Sequence, residues 1–211
     1  MIKIECEQGT EEWFQARLGI PTASNFGRIL TPKGAASKQA DVYMKTLLIE
    51  RQMGHPAEDD KKEGMKWIEH GKKYEADARN FYAFDQSVDV QQVGFITNDE
   101  GTIGCSPDGI IGDDGGLEIK CPKPSTQASY WLGGGVDPKY IPQVQGSMLV
   151  AERDWWEWLS YYPDPKVKPM LIRVMRDHAY ISKLTAALDE FNDKMAEMRE
   201  ELVAGGWLDA E

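Results

Sequence analysis

Asp108, Glu118 and Lys120 lie in one stretch, CSPDGIIGDDGGLEIKCPKP, residues 105–124. Two carboxylates brought within a few ångströms repel each other unless a cation lies between them or one stays protonated. Oxygen donors without histidine or cysteine suit Mg²⁺ or Mn²⁺ rather than zinc. A lysine two residues beyond the second acid can orient or deprotonate a metal-bound water, or stabilise charge on a phosphate. The set Asp…Glu-x-Lys is therefore a pattern for phosphodiester hydrolysis. The alternative is a strand face with alternating charges, a solvent-facing salt bridge worth little to stability.

The two readings divide on the hairpin that must carry these residues. In a strand over 117–121, Glu118 and Lys120 share one face while Leu117, Ile119 and Cys121 turn to the core. An odd turn centred on Asp114 places residue 108 opposite 120, so Asp108 joins the same face one diagonal step from Glu118. An even turn places it on the other face. Pro107 and Gly109 also allow the register to adjust at the start of the strand.

The elements around the hairpin are helical in front and mixed behind. Thr10 as N-cap, Glu11 and Glu12 in the first turn and Gly19 as a stop predict a short helix, and Thr22-Ala23-Ser24 starts another. Helices over 41–53 and 66–84 follow, separated by a polar loop from His55 to Lys62. Short β-prone runs over 88–97, 102–105, 109–111 and 117–121 form a meander, ended by Pro122 and Pro124. A helix over 140–151 and strands over 154–162 and 169–176 come next. Ile181, Leu184, Leu188, Phe191, Met195, Met198 and Leu202 predict an amphipathic helix over 180–204, which packs on its own sheet or forms a coiled-coil seam. The order indicates one α/β (α+β) domain over 1–211, a central mixed β-sheet flanked by helices.

Length and composition agree with that reading: 211 residues at 41% hydrophobic content can bury one sizeable core. No apolar run of about 18 residues spans a bilayer and the start lacks a signal-peptide pattern, so a soluble, cytoplasmic protein is expected. Cys6, Cys105 and Cys121 show no CxxC spacing and lie far from the histidines in sequence, which points to buried thiols rather than a disulfide framework or zinc site. A net charge of −11 argues against contact with nucleic acid, but its distribution weakens the objection. Residues 17–51 carry six basic against two acidic side chains, Lys166, Lys168, Arg173 and Arg176 form a second basic segment, and 185–211 holds eight acids and two bases.

Ser106-Pro107-Asp108-Gly109 with Gly116-Leu117-Glu118-Ile119-Lys120-Cys121-Pro122 closely resembles the lambda-exonuclease type of phage recombination nuclease, also called the YqaJ-like viral recombinase family. Further matches run in the same order over about residues 7–200. They are Trp13 with Arg17-Leu18-Gly19, Thr22-Ala23-Ser24, Gly71-Lys72-Lys73-Tyr74-Glu75 with Ala78-Arg79, and Gln143-Val144-Gln145-Gly146-Ser147-Met148. The resemblance implies a restriction-endonuclease-like core with Asp108, Glu118 and the Ile119 carbonyl as ligands of the catalytic metal. Glu75 would serve a second metal position, Lys120 the attacking water, and Gln143 the neighbourhood of that water. Arg17, Ser24 and Ser106 would form the pocket for a 5′-terminal phosphate, suited to an arginine fork with hydroxyl donors. Ile68 would be a wedge that splits the terminal base pair, or else helix core.

The same resemblance implies a Mg²⁺-dependent enzyme, with Mn²⁺ as substitute and two ions in the site. It would digest the 5′-ended strand of linear duplex DNA processively to 5′-mononucleotides. Relatives are toroidal homotrimers in a phage or prophage setting, and they leave a 3′ single strand for an annealing protein. A ring needs only its inner surface to be basic, which reconciles an acidic protein with DNA. An endonuclease or repair nuclease on the same core, and a noncatalytic adaptor for DNA ends or annealing proteins, are the alternatives. Some relatives carry a longer N-terminal segment, and Gly133-Gly134-Gly135 reads as a flexible stretch between Lys120 and Gln143.

Overall fold

The computed structural model describes residues 1–56 and 65–209, with the backbone alone over 65–72. A short strand, β1 (Ile2–Ile4), precedes α1 (Glu11–Arg17), where the Thr10 hydroxyl accepts from the Trp13 N–H at 3.4 Å as the expected N-cap. A 3-10 helix (Ala23–Arg28) follows, then α2 (Ala40–Met53), which stops at Gly54 in the left-handed conformation. The long helix is α3 (Met65–Gln86). From residue 57 to its end, the predicted polar loop lies outside the described residues, as does the side chain of Ile68.

The strands form two sheets rather than the single central sheet expected. β2 (Phe95–Thr97) and β3 (Gly104–Cys105) complete an antiparallel sheet of order β1-β2-β3. β4 (Gly109–Ile111), β5 (Gly115–Lys120), β6 (Trp155–Ser160) and β7 (Met170–Met175) form a mixed sheet of order β4-β5-β6-β7, in which β5 and β6 are parallel. A backbone bridge between Gln91 and Ile110 links the segment before β2 to β4.

Parallel neighbours need a crossover, and this one corrects the reading of residues 122–135. Pro124 opens a helix, α4 (Pro124–Gly133), and Gly134 closes it at φ 66°. Proline has no N–H to lose in the first helical turn, and glycine adopts the left-handed C-terminal position at little cost. The glycine triplet is therefore a helix stop. A 3-10 turn (Pro138–Tyr140) leads into α5 (Ile141–Val150), and α6 (His178–Ala204) ends the fold.

Both faces of the four-stranded sheet are covered. Leu117 and Ile119 of β5 and Leu159 of β6 pack with Ala78 and Tyr82 of α3. The opposite face carries Trp156 and Trp158, which join the larger cluster with Val144 and Met148 of α5 and Leu184 and Leu188 of α6. The apolar stripe of α6 thus faces this core, with Phe191 5.6 Å from the Tyr43 ring of α2.

Candidate active site

The hairpin register decides where Asp108 falls. Gly109 pairs with Leu117, Ile110 with Gly116 and Ile111 with Gly115, which leaves a three-residue turn, Gly112–Asp114. Its centre is Asp113, not Asp114, and Gly112 takes the strained first position at φ 54°. The turn is odd, the condition under which Asp108 joins the side of Glu118; the ladder ends at Gly109–Leu117, and Asp108, just before β4, donates its N–H to the Leu117 carbonyl at 3.1 Å rather than lying opposite Lys120.

Glu118 is not on a solvent face. It is 3% exposed, because α5 closes over the side of β5 that alternation alone assigns to water. A buried carboxylate costs several kcal/mol unless donors surround it. Glu118 Oε1 accepts from Lys120 Nζ at 2.5 Å and from Gln143 Nε2 at 2.6 Å, and the Gln143 Oε1 accepts in turn from Lys120 at 3.4 Å. Burial by itself would lower the Lys120 pKa, but Glu118 and Asp108 together hold it above its ordinary value. The ammonium also lies 4.9 Å from the centre of the Tyr140 ring.

Asp108 is held differently. Its Oδ2 accepts from the Ile119 N–H at 2.6 Å. Because Lys120 O accepts from the N–H of Tyr161, the residue just after β6, alternation directs the N–H and C=O of Ile119 to the β4 edge, beside Asp108. Burial, then the charges of Glu118 and of Glu75, push the Asp108 carboxyl well above its ordinary value.

Glu75 reaches the same place from α3. Its Oε1 accepts from Arg79 at 2.6 Å, and the same guanidinium donates to the Asp108 main-chain carbonyl at 2.7 Å. The three acids share one arrangement: Asp108, Glu118 and Glu75 each have one oxygen bound to protein donors. Among the described residues, the second oxygen of each has no protein donor. Glu75, Arg79 and Asp108 line a cavity of about 550 Å³ with Gln8 and Pro107. Among the described residues no group of three or more His, Cys, Asp or Glu side chains is placed to hold a metal ion by itself. The oxygens without protein donors suit a hard divalent cation, for which Asp108, Glu118 and the Ile119 carbonyl would be the protein ligands.

The candidate phosphate residues are partly assembled. Arg17 donates to Ser106 Oγ at 2.8 Å and stacks 4.1 Å above the Trp13 ring, whose N–H donates to the same hydroxyl at 2.9 Å. Burial lowers the pKa of this guanidinium, the mark of a desolvated cation suited to an anion. Ser24 instead pairs with Thr22 Oγ1 at 3.3 Å and is exposed. Thr22, Trp13 and Arg17 line a second cavity of about 450 Å³ with Asn25, Arg28 and Tyr43.

The two arginines of the second basic segment are committed elsewhere. Arg173 pairs with buried Glu157 at 2.7 Å, and Arg176 donates to the carbonyls of Met148 and Arg153 at 2.7 and 3.0 Å. Conversely, Arg79 and Tyr140 had no role assigned from sequence. Arg79 was accessible from its i,i+4 spacing to Glu75; Tyr140 gave no local signal, since it meets Lys120 only through the turn of the crossover.

The family model for a YqaJ-like viral recombinase domain matches residues 12–154. An alkaline exonuclease from Laribacter hongkongensis is 30% identical, with a TM-score of 0.83 over 93% of this chain and 98% of that one. Its complex with dAMP superposes with a TM-score of 0.84 over the same shares, at 30% identity. A phage-related exonuclease from Haemophilus somnus 129PT shares the fold at 14% identity, with a TM-score of 0.61 over 85% of this chain and 96% of that one. Comparison with curated proteins returned no match.

Proposed function

The chain belongs to the YqaJ-like viral recombinase domain family, and from that premise we propose that this DNA nuclease is a Mg²⁺-dependent 5′→3′ exonuclease. It acts on linear double-stranded DNA as one nuclease domain of 211 residues. The observation that carries the reading is Asp108 fastened to the Ile119 N–H beside buried Glu118, with Lys120 bonded to Glu118 on the same strand face. A 30%-identical exonuclease held with dAMP supports a 5′-mononucleotide as product.

Asp108, Glu118 and the Ile119 carbonyl would hold the catalytic ion, and Glu75 would serve a second. Bound there, divalent cations supply a nucleophile at neutral pH and Lewis-acid stabilisation of the phosphate. Mn²⁺ fits the same oxygen donors. Glu118 spends Oε1 on Lys120 and Gln143, which keeps both side chains beside the reacting phosphate. Lys120, held cationic by the two acids, stabilises charge building on the phosphate oxygens. Gln143 orients the lysine and the attacking water.

Arg17 and Ser106, with Ser24 at the rim, receive the 5′-terminal phosphate. Water adds to the next phosphorus, the bond to the 3′ oxygen breaks, and that oxygen takes a proton. One 5′-mononucleotide leaves, and a new 5′ phosphate appears on the strand that remains. Each turnover thus regenerates the group the pocket binds, a physical basis for polarity and for processive action by a homotrimeric ring. The 3′ strand left behind is the substrate of a phage single-strand annealing protein, and the setting is the cytoplasm of a bacterial host. Among the described residues no helix is long and apolar enough to cross a membrane.

The test is linear duplex with and without a 5′ phosphate, and closed circular duplex, in Mg²⁺ or EDTA. Linear 5′-phosphorylated duplex should be degraded only with Mg²⁺, and closed circles should survive. Degradation by Asp108→Ala, or in EDTA, would sink the mechanism; cutting of closed circles would favour an endonuclease.

A further inference from the structure

Arg79 lies one helical turn beyond Glu75 on α3 and joins two groups on different elements. One guanidinium nitrogen donates to Glu75 Oε1 at 2.6 Å, and Nε donates to the Asp108 main-chain carbonyl at 2.7 Å. The arginine side chain is 13% exposed against 33% for the glutamate. A surface i,i+4 pair alone would do little. The second bond fastens the helix acid to the residue bearing the strand acid, at the wall of the cavity lined by all three.

We propose that Arg79 is a positioning residue that sets Glu75 for the second metal position, an inference that rests on the role given to Glu75 above. A glutamate at the edge of a cavity must lose side-chain rotamers to meet a cation, which opposes binding. The planar fork fixes that carboxylate in advance through Oε1 and leaves Oε2 without a protein donor among the described residues. Lysine keeps the charge but not the fork, so it cannot hold the carboxylate and the carbonyl in one plane.

Mn²⁺ titrated into the protein with one equivalent of dAMP, followed by electron paramagnetic resonance, tests this without catalysis. The wild type should bind two classes of ion, and Glu75→Ala should lose the weaker. Arg79→Lys and Arg79→Ala should weaken that same class about tenfold or more, the usual effect of losing a partner that orients a ligand. The tighter class should not move, and Arg79→Lys should add nothing in the Glu75→Ala background. Should Arg79→Ala fail to fold, the lysine variant carries the test. Wild-type binding by Arg79→Lys, or equal weakening of both classes, overturns the inference and leaves Glu75 standing. Retention of both classes by Glu75→Ala, or a single class in the wild type, overturns the Glu75 assignment and the inference with it.

Discussion

Asp108 Oδ2 accepts from the N–H of Ile119, the residue that follows Glu118, at 2.6 Å, and the Asp108 N–H donates to the carbonyl of Leu117, the residue before it, at 3.1 Å. The strand acid is thus held by backbone, while its neighbour is held by side chains. Both are needed, because like charges this close destabilise the fold when no cation is bound.

That repulsion has a sign in pH. Burial, Glu118 and Glu75 raise the Asp108 pKa above its ordinary 3.8. A carboxyl with a higher pKa folded than unfolded stabilises the fold fully below the unfolded value, and loses that contribution as pH rises through the folded value. In EDTA, the melting temperature of the wild type should therefore fall, relative to Asp108→Asn, as pH rises above the ordinary aspartate range. The asparagine keeps an acceptor for Ile119, and each kcal/mol relieved is worth roughly 2–4 °C. Mg²⁺ should close the gap. Parallel melting curves for the two proteins in EDTA would contradict this.

Lys120→Ala should lower the turnover rate about 10²- to 10⁴-fold, the range for a group acting on the transition state. It also strips one donor from buried Glu118, so urea unfolding should show a loss of about 1–3 kcal/mol. A variant with full turnover would remove Lys120 from the chemistry.

Arg17→Lys separates recognition from cleavage. The planar stack on Trp13 and the bond to Ser106 cannot be reproduced by a point charge. The rate on 5′-phosphorylated duplex should fall about tenfold toward that on 5′-hydroxyl duplex, with the latter nearly unchanged, the loss of one charge-assisted bond being about 1.5 kcal/mol. Equal losses on both ends would count against a phosphate pocket.

Gln127→Leu tests the crossover. Gln127, 1% exposed, donates to the Ser160 and Lys168 carbonyls at 3.2 and 3.1 Å and accepts from the Ser160 hydroxyl. Leucine leaves these buried groups unpaired, so chemical denaturation should show a loss of about 1–3 kcal/mol. An unchanged midpoint would mean that α4 is not fastened through this side chain.

What could be seen in the sequence follows from how local each signal is. The Thr10 cap, the Gly54 stop and the α6 stripe are written within a few residues of the elements they set, and their positions agree with the structure. The turn between β4 and β5 has two adjacent aspartates and two adjacent glycines, so the sequence leaves its parity open, and the centre of the odd turn falls one residue before Asp114. α4 was missed because proline and glycine both end strands and both punctuate helices; only the parallel pairing of β5 and β6 selects the second meaning. β1 is three residues long and carries no periodicity. At the site, Glu118 looked solvent-facing because alternation cannot report that α5 covers the second face. Of the three thiols expected to be buried, Cys105 is, with its pKa pushed up by burial, whereas Cys6 and Cys121 are only partly covered.

β5 is a party wall between two hydrophobic clusters of unequal size. Glu118, Lys120 and Gln143 take their bearings from the larger one through α5, while Glu75 takes its own from the small cluster of Ala78, Tyr82, Ile111, Leu117, Ile119 and Leu159. Alignment of the acids is therefore a surveying problem with two separate benchmarks. Loosening the smaller one, with the larger intact, would leave a folded protein whose helix acid has drifted off target, so heat should silence this enzyme before it melts it.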